Sequence, residues 1–203
     1  MLRRLLRSNS SRVLISDLFI DPTGTNLANH LISPINRPAT AWTNRNSSAF
    51  QIMSNKAGIL TVPAGQPKVN ATLDAGVSDY IITCTINYGN AGSSSPGIIT
   101  RYAVTDNVQY LVVISDSTNE FSIYEWNGST FTSRATTTIA IAANTSYALV
   151  ITCQGSTITA TLDGANQISY ASATVNQSST LLGMRDSESS NNTWSNFTVS
   201  APP

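Results

Sequence analysis

The stretch YALVITCQGSTITATLDGANQISY, residues 147–170, decides the fold. In Tyr147–Cys153, Leu149, Ile151 and Cys153 fall on one face and Ala148 and Val150 on the other. In Thr157–Leu162, Ile158, Ala160 and Leu162 alternate with three threonines, the period-two pattern of a strand with one buried and one wetted face. Gln154-Gly155-Ser156 and Asp163-Gly164 separate these runs from each other and from Gln167–Tyr170. Glycine and aspartate reach the turn conformations that close tight hairpins. The segment therefore reads as three consecutive antiparallel strands.

The same grammar extends outward. Further strands are predicted over Val13–Ile20, Phe50–Ser54, Gly58–Val62, Tyr80–Asn87, Gly97–Ala103, Gln109–Ile114, Phe121–Trp126, Phe131–Thr138, Thr180–Arg185 and Phe197–Ser200. Turn signals lie between them at Asp21-Pro22-Thr23-Gly24, Asn87–Gly97 and Trp126-Asn127-Gly128. About thirteen short strands at this spacing describe a large two-sheet sandwich. In Gln109–Ile114 both faces are apolar, Leu111 and Val113 against Tyr110, Val112 and Ile114, which places this strand in the middle of layered sheets. The Pro- and Asn-bearing stretch from Ala28 to Ala49 is expected to run over the surface.

Composition agrees with an all-β chain. Only 11% of the 203 residues are charged, against about 25% in an average globular protein. Their place is taken by 28 Ser, 25 Thr and 19 Asn, residues of strands and turns rather than of exposed helices.

The formal net charge of zero hides an asymmetry. Met1–Arg12 carries Arg3, Arg4, Arg7 and Arg12 with Leu2, Leu5 and Leu6 and no acid. Arginines interrupt every apolar run, so the segment is not a secretory signal; its composition is closer to that of a mitochondrial presequence. As a helix it would align Leu2, Leu5 and Leu6 on one stripe, but it is too short to be stable alone. As an extended segment it could pair with a neighbour's sheet edge. Either way it reads as a tether held by a partner protein, and residues 1–15 are assigned to an arm and 16–203 to the sandwich. Four arginines without a fold to aim them do not make a nucleic-acid site. No stretch approaches the roughly 18 apolar residues of a membrane span.

Few residues offer chemistry. His30 is the only histidine, which removes His-rich metal cages and most His-based triads. Cys84 and Cys153 lie within alternating strands and read as two buried thiols or as a cross-strand disulfide. Glycan hydrolysis with retention needs two carboxyls about 5–5.5 Å apart. The densest acidic stretch is Asp116, Glu120 and Glu125, and the odd separation of the two glutamates puts them on opposite faces of a strand. No catalytic residue, metal site or cofactor is assigned; calcium ligands could come from Asp106 with Asn107, or from Asp186 with Glu188, Asn191 and Asn192. Trp126, Tyr88 and Trp42 are the aromatic candidates for stacking on a sugar ring.

The order of elements resembles a known family. Ser16-Asp17-Leu18-Phe19 is followed by Gly24-Thr25-Asn26-Leu27, Ala41-Trp42, Ser78-Asp79-Tyr80-Ile81 and Gly97-Ile98-Ile99-Thr100-Arg101-Tyr102. Then come Tyr147–Val150, Gly155–Ala160, Leu162-Asp163-Gly164, Leu182-Gly183-Met184-Arg185 and Trp194–Val199. Over roughly residues 16–200 this succession resembles the concanavalin A-like lectin/glucanase sandwich in its laminin G-like form. The resemblance implies a jelly roll of two antiparallel sheets and no particular function. With the arm and the low charge, the leading expectation is a non-enzymatic structural virion protein, a capsid decoration (cement) protein or tail component of a tailed bacteriophage. Its expected partners are the major capsid protein or a tail protein, in a homo-oligomer or symmetric array. The alternative is a carbohydrate-binding or host receptor-binding module, extracellular or on the virion, with a surface glycan as ligand. A glycan hydrolase or lyase comes third.

Overall fold

A computed structural model of the chain describes residues 11–32, 40–45, 50–59, 69–90, 95–105, 107–186 and 191–203. Two antiparallel sheets carry nearly all of the structure. The first runs β15 (Asn166–Tyr170), β14 (Thr157–Leu162), β13 (Thr145–Gln154), β8 (Tyr80–Tyr88), β17 (Thr193–Ser200), β6 (Ala57–Ile59), β5 (Phe50–Ile52). β1 (Val13–Asp17) joins it on β17. The second runs β12 (Phe131–Thr138), β11 (Glu120–Trp126), β10 (Gln109–Ser115), β9 (Gly97–Thr100), β16 (Leu181–Asp186), β7 (Val69–Asp74), β4 (Thr43–Arg45). A small ribbon pairs β2 (Leu31–Ile32) with β3 (Thr40–Ala41).

The alternation expected for residues 147–170 is realised as two successive hairpins, with Leu149 opposite Leu162 and Ala160 opposite Ile168. Gly155 and Gly164 take positive φ values of 53° and 70°, which only glycine adopts without strain. The first and last strands also pair, Asp17 opposite Phe197 and Ser16 opposite Thr198. Pairing reaches back to Arg12, whose carbonyl accepts the Ala201 N–H at 2.8 Å. The sandwich therefore begins before the boundary expected at Ser16.

The core lies between the sheets. Tyr80, Ile82, Cys84, Ile86 and Tyr88 of β8 face Tyr110, Val112 and Ile114 of β10 and their neighbours. Trp42 packs edge-on against Phe197, and Phe50 against Trp194, with ring centroids 5.2 and 5.5 Å apart. Cys84 lies opposite Leu149 and Cys153 opposite Tyr80, four positions apart along one strand pair, or about 13 Å. That register keeps them as two free, buried thiols.

The stretch expected on the surface instead sends Ile32 and Trp42 into the core. The cause is Asp17, a buried carboxylate that gathers three donors. Its Oδ1 accepts the Phe19 N–H at 2.8 Å and meets His30 Nε2 at 2.9 Å, and its Oδ2 accepts Trp42 Nε1–H at 2.8 Å. His30 Nδ1 meets Asp21. Phe19 takes a positive φ of 55° at this corner, which turns the chain out of β1 and back over the ring cluster.

Candidate functional site

The site is built on the outer face of the second sheet. Along β10 the residues facing away from the core are Leu111, Val113 and Ser115, yet the whole strand is buried. Leu111 and Val113 form a second apolar cluster with Ile99 and Tyr102, against which Tyr124, Phe131 and Leu181 pack. The two-sided apolar pattern of Gln109–Ile114 thus has a definite cause: the sheet has a core on each side.

Register lines up one row across this face. Arg185 on β16 lies opposite Gly97 on β9, Gly97 opposite Val113 on β10, Val113 opposite Ser122 on β11, and Ser122 opposite Thr136 on β12. Phe131 stands at the far end of β12, opposite Trp126. On a flat sheet the four strand intervals from β16 to β12 would separate their backbones by about 19 Å. The Arg185 guanidinium nevertheless lies 4.8 Å from the centre of the Phe131 ring. Side-chain reach and a sheet that curls toward its outer face together close that distance. Gly97, between Arg185 and Val113 in this row, has no room for a side chain. A Cβ there would sit 2.5 Å from the Val112 carbonyl oxygen and 2.8 Å from Val113 Cγ1.

The curl makes a groove of about 310 Å³, lined by Ser95, Val113, Ser115, Ser117, Thr118, Glu120, Tyr124, Phe131 and Arg185. Its aromatic wall is Tyr124 and Phe131, ring centroids 6.3 Å apart, continued outward by Trp126, whose ring lies 4.3 Å from Phe131. Its polar wall is the β10–β11 turn. Tyr88 fixes that turn from the core side, donating its hydroxyl to Asp116 at 2.7 Å and accepting the Asp116 N–H at 3.2 Å. Ser115 and Ser117 hydroxyls lie 3.1 Å apart on it.

Charge is sparse and placed at the two sides. Tyr124 donates its hydroxyl to Glu120. Burial and the Glu120 carboxylate push the Tyr124 phenol up to about 12, so it stays protonated and holds Glu120 in place. Arg185 is only 5% exposed. Burial brings its guanidinium down to about 10, and the adjacent Asp186 carboxylate opposes that fall, so it remains a cation at neutral pH. Glu125 lies on the opposite face from Glu120, where it accepts Arg134 Nε–H at 3.1 Å. The two carboxylates therefore do not meet across one sugar.

The structure separates the aromatic candidates. Trp126 is half-buried on the groove face. Trp42 and Tyr88, expected as stacking surfaces, are both within the core at 1% exposure and offer no ring face to a ligand. Trp42 is drawn in by Asp17, and Tyr88 by the inward parity of β8. Leu2, Arg3, Arg4, Leu5, Leu6 and Arg7 lie outside the described residues, and Arg12 is exposed. Asp106 and Glu188 also lie outside them. Asp186 is buried and accepts both N–H bonds of the Asn192 amide, at 3.1 and 3.3 Å. Among the described residues, no three of His, Cys, Asp and Glu gather as a metal would require.

No protein-family model and no curated sequence matches the chain. Solved structures do. The carbohydrate-binding module CBM66 from Bacillus subtilis superposes with a TM-score of 0.59 at 13% identity, covering 79% of this chain and 95% of that one. The fold is the concanavalin A-like jelly roll. Bacillus licheniformis beta-glucanase shares it at a TM-score of 0.58 and 8% identity, over 91% of this chain and all of that one (100%). So does part of Trypanosoma rangeli sialidase, at 0.57 and 11% identity, over 96% of this chain but only 31% of that one. At such identities the likeness concerns the jelly roll alone; the functional reading must come from the groove.

Tyr124, Phe131, Glu120 and Arg185 were not singled out by sequence as ligand groups. One signal was present: Glu120, Ser122, Tyr124 and Trp126 share a parity on one strand, a polar–aromatic face opposite the buried Phe121 and Ile123.

Proposed function

We propose that this chain is a non-enzymatic carbohydrate-binding module whose ligand lies in the groove on the outer face of the second sheet. The observation that carries this reading is the company of groups there. Tyr124, Phe131 and Trp126 offer ring faces and edges for the apolar C–H surface of a sugar. Ser95, Ser115, Ser117, Thr118 and Glu120 offer hydroxyls and a carboxylate for its hydroxyl groups. A concave, mostly apolar site with a few convergent polar groups is the general form of a small-ligand pocket. That one solved neighbour is itself named a carbohydrate-binding module supports the same choice.

The arm-docked virion role expected from Met1–Arg12 rests on residues 1–10, outside the described ones, and the groove favours the glycan-binding alternative. In this proposal the arm is a tether to a partner protein, and the module works at an extracellular or virion surface.

The test is a glycan array followed by calorimetry on the full chain. Saturable binding is expected, weakened roughly 10- to 100-fold in Trp126→Ala and in Phe131→Ala, the loss of about 1–3 kcal/mol of buried aromatic contact. Binding unchanged in both variants would move the site elsewhere. Turnover of any glycan would overturn the non-enzymatic assignment.

A further inference from the structure

Within that groove, Arg185 is paired with no carboxylate among the described residues. It is only 5% exposed, and among the described residues no hydrogen bond or ion pair engages its guanidinium. Its contact is the Phe131 ring face. The neighbouring Asp186 turns to the other side of β16, where it is taken by Asn192. Glu120 shares the groove but is engaged by Tyr124 rather than paired with Arg185. A buried guanidinium with donors unpaired is costly unless a ligand completes it. Fold stability does not explain it, because an apolar side chain over Phe131 and Val113 would fill the same space without that cost.

We propose that Arg185 forms a carboxylate subsite, so that the glycans this module selects are acidic: uronic acids or other sugars bearing one ring carboxylate. This rests on the glycan-binding reading above and names its ligand class. A planar guanidinium matches a carboxylate with two parallel N–H···O bonds, and Phe131 backs it so that its edge is presented to the groove. The sugar ring lies along Tyr124 and Val113, with its hydroxyls toward Ser115, Ser117 and Glu120. Glu120 sets a limit on the ligand, because a second carboxylate brought to that side would meet a like charge. The subsite thus fits one acid group per bound sugar residue, near β16, and neutral hydroxyls near the β10–β11 turn.

The deciding experiment leaves the protein unaltered. Acidic oligosaccharides and their carboxyl-reduced counterparts are titrated against the full chain. Reduction is expected to weaken binding roughly 10- to 100-fold, the usual worth of hydrogen bonds to a charged group. Equal binding of both forms overturns the carboxylate subsite while leaving glycan binding intact. Arg185→Lys, which keeps the charge but not the fork, is expected to lose most of that preference. A separate measurement covers the case in which no oligosaccharide on hand binds. Glucuronate and glucose are added in excess while the Arg185 Nε–H resonance is followed by NMR. A saturable shift with glucuronate alone supports the subsite; no shift, or the same shift with glucose, overturns it.

Discussion

Replacing Asp17 by Asn tests the account of why the chain between β1 and β4 enters the core. The carboxylate is 3% exposed and receives Phe19 N–H and His30 on one oxygen and the Trp42 indole on the other. Asparagine has one carbonyl oxygen and sets an N–H₂ where the second oxygen was. In either amide orientation a buried donor faces another donor. If the oxygen stays with Phe19 and His30, the Trp42 Nε1–H is orphaned at 1% exposure. An orphaned buried donor costs about 1–3 kcal/mol. The bonds that survive fall from charge-assisted to neutral and lose roughly half their strength. The sum is roughly 3–5 kcal/mol, a large part of the 5–15 kcal/mol that holds a typical domain. For a chain of this size that corresponds to a fall in Tm of roughly 8–16 °C. Urea unfolding followed by tryptophan fluorescence at pH 7 measures it, with Trp42 as a local reporter. A loss below about 1 kcal/mol would refute the assignment of Asp17 as the shared acceptor.

His30 adds a pH dependence to the same corner: burial alone would lower its pKa, but the hydrogen bonds and charges of Asp21 and Asp17 leave it above the ordinary 6.5. Its contribution is therefore complete below pH 6.5 and is lost as pH rises through the higher folded value, so urea midpoints should decline on that side, and His30→Gln should flatten the profile. Burial pushes the Cys84 thiol up to about 12 and, partly offset by Arg101 and by bonds with Tyr80 and Thr100, that of Cys153 to about 11. Neither should react with a thiol reagent at pH 8 in the native protein, and both should react in denaturant; one fast native thiol would contradict their placement. Gly183→Ala would set a Cβ 1.9 Å from the Ala71 carbonyl oxygen and 2.8 Å from Thr72 Cα, backbone atoms that cannot step aside. It should cost about 3 kcal/mol or more by overpacking, whereas Gly155→Ala, with nothing nearby but a φ of +53°, should cost about 1–2 kcal/mol, both read from urea midpoints.

Two strands were legible to the residue, Phe131–Thr138 between its turn signals and Thr157–Leu162 from its full polar–apolar alternation. β7 was not, although it pairs with β16 along its whole length. Among its described side chains the inward ones are Ala71 and Leu73, and the outward ones, Asn70, Thr72 and Asp74, are turn formers as readily as strand residues. Trp42 shows the complementary failure. Its Pro- and Asn-rich neighbours point to the surface, while the acceptor that buries it lies 25 positions earlier in the chain. The opposite-face placement of Glu120 and Glu125 followed from strand parity alone. Trp126 ends its strand as its sequence suggests, but its partner Phe131 could be identified only once the β11–β12 register was known.

Arg185 marks the limit of such reading, and the reason is geometric. Nothing within Leu181–Asp186 distinguishes its arginine from a solvated charge opposite Met184. What buries it is the succession β16, β9, β10, β11, β12, in which β16 joins four consecutive strands from far downstream in the chain. The trace visible beforehand is on β10, where Leu111 and Val113 make a second apolar face. In a two-layer sandwich such a face has three ways to leave water: a third layer, a partner, or curvature of its own sheet. Among the described residues the contact between Arg185 and Phe131 identifies curvature as one of them. The same curl that covers the apolar floor brings the Arg185 guanidinium onto the Phe131 ring in the groove. The second hydrophobic face and the unpaired charge are thus two consequences of one curl, and it is their coexistence that turns a structural surface into a candidate binding site.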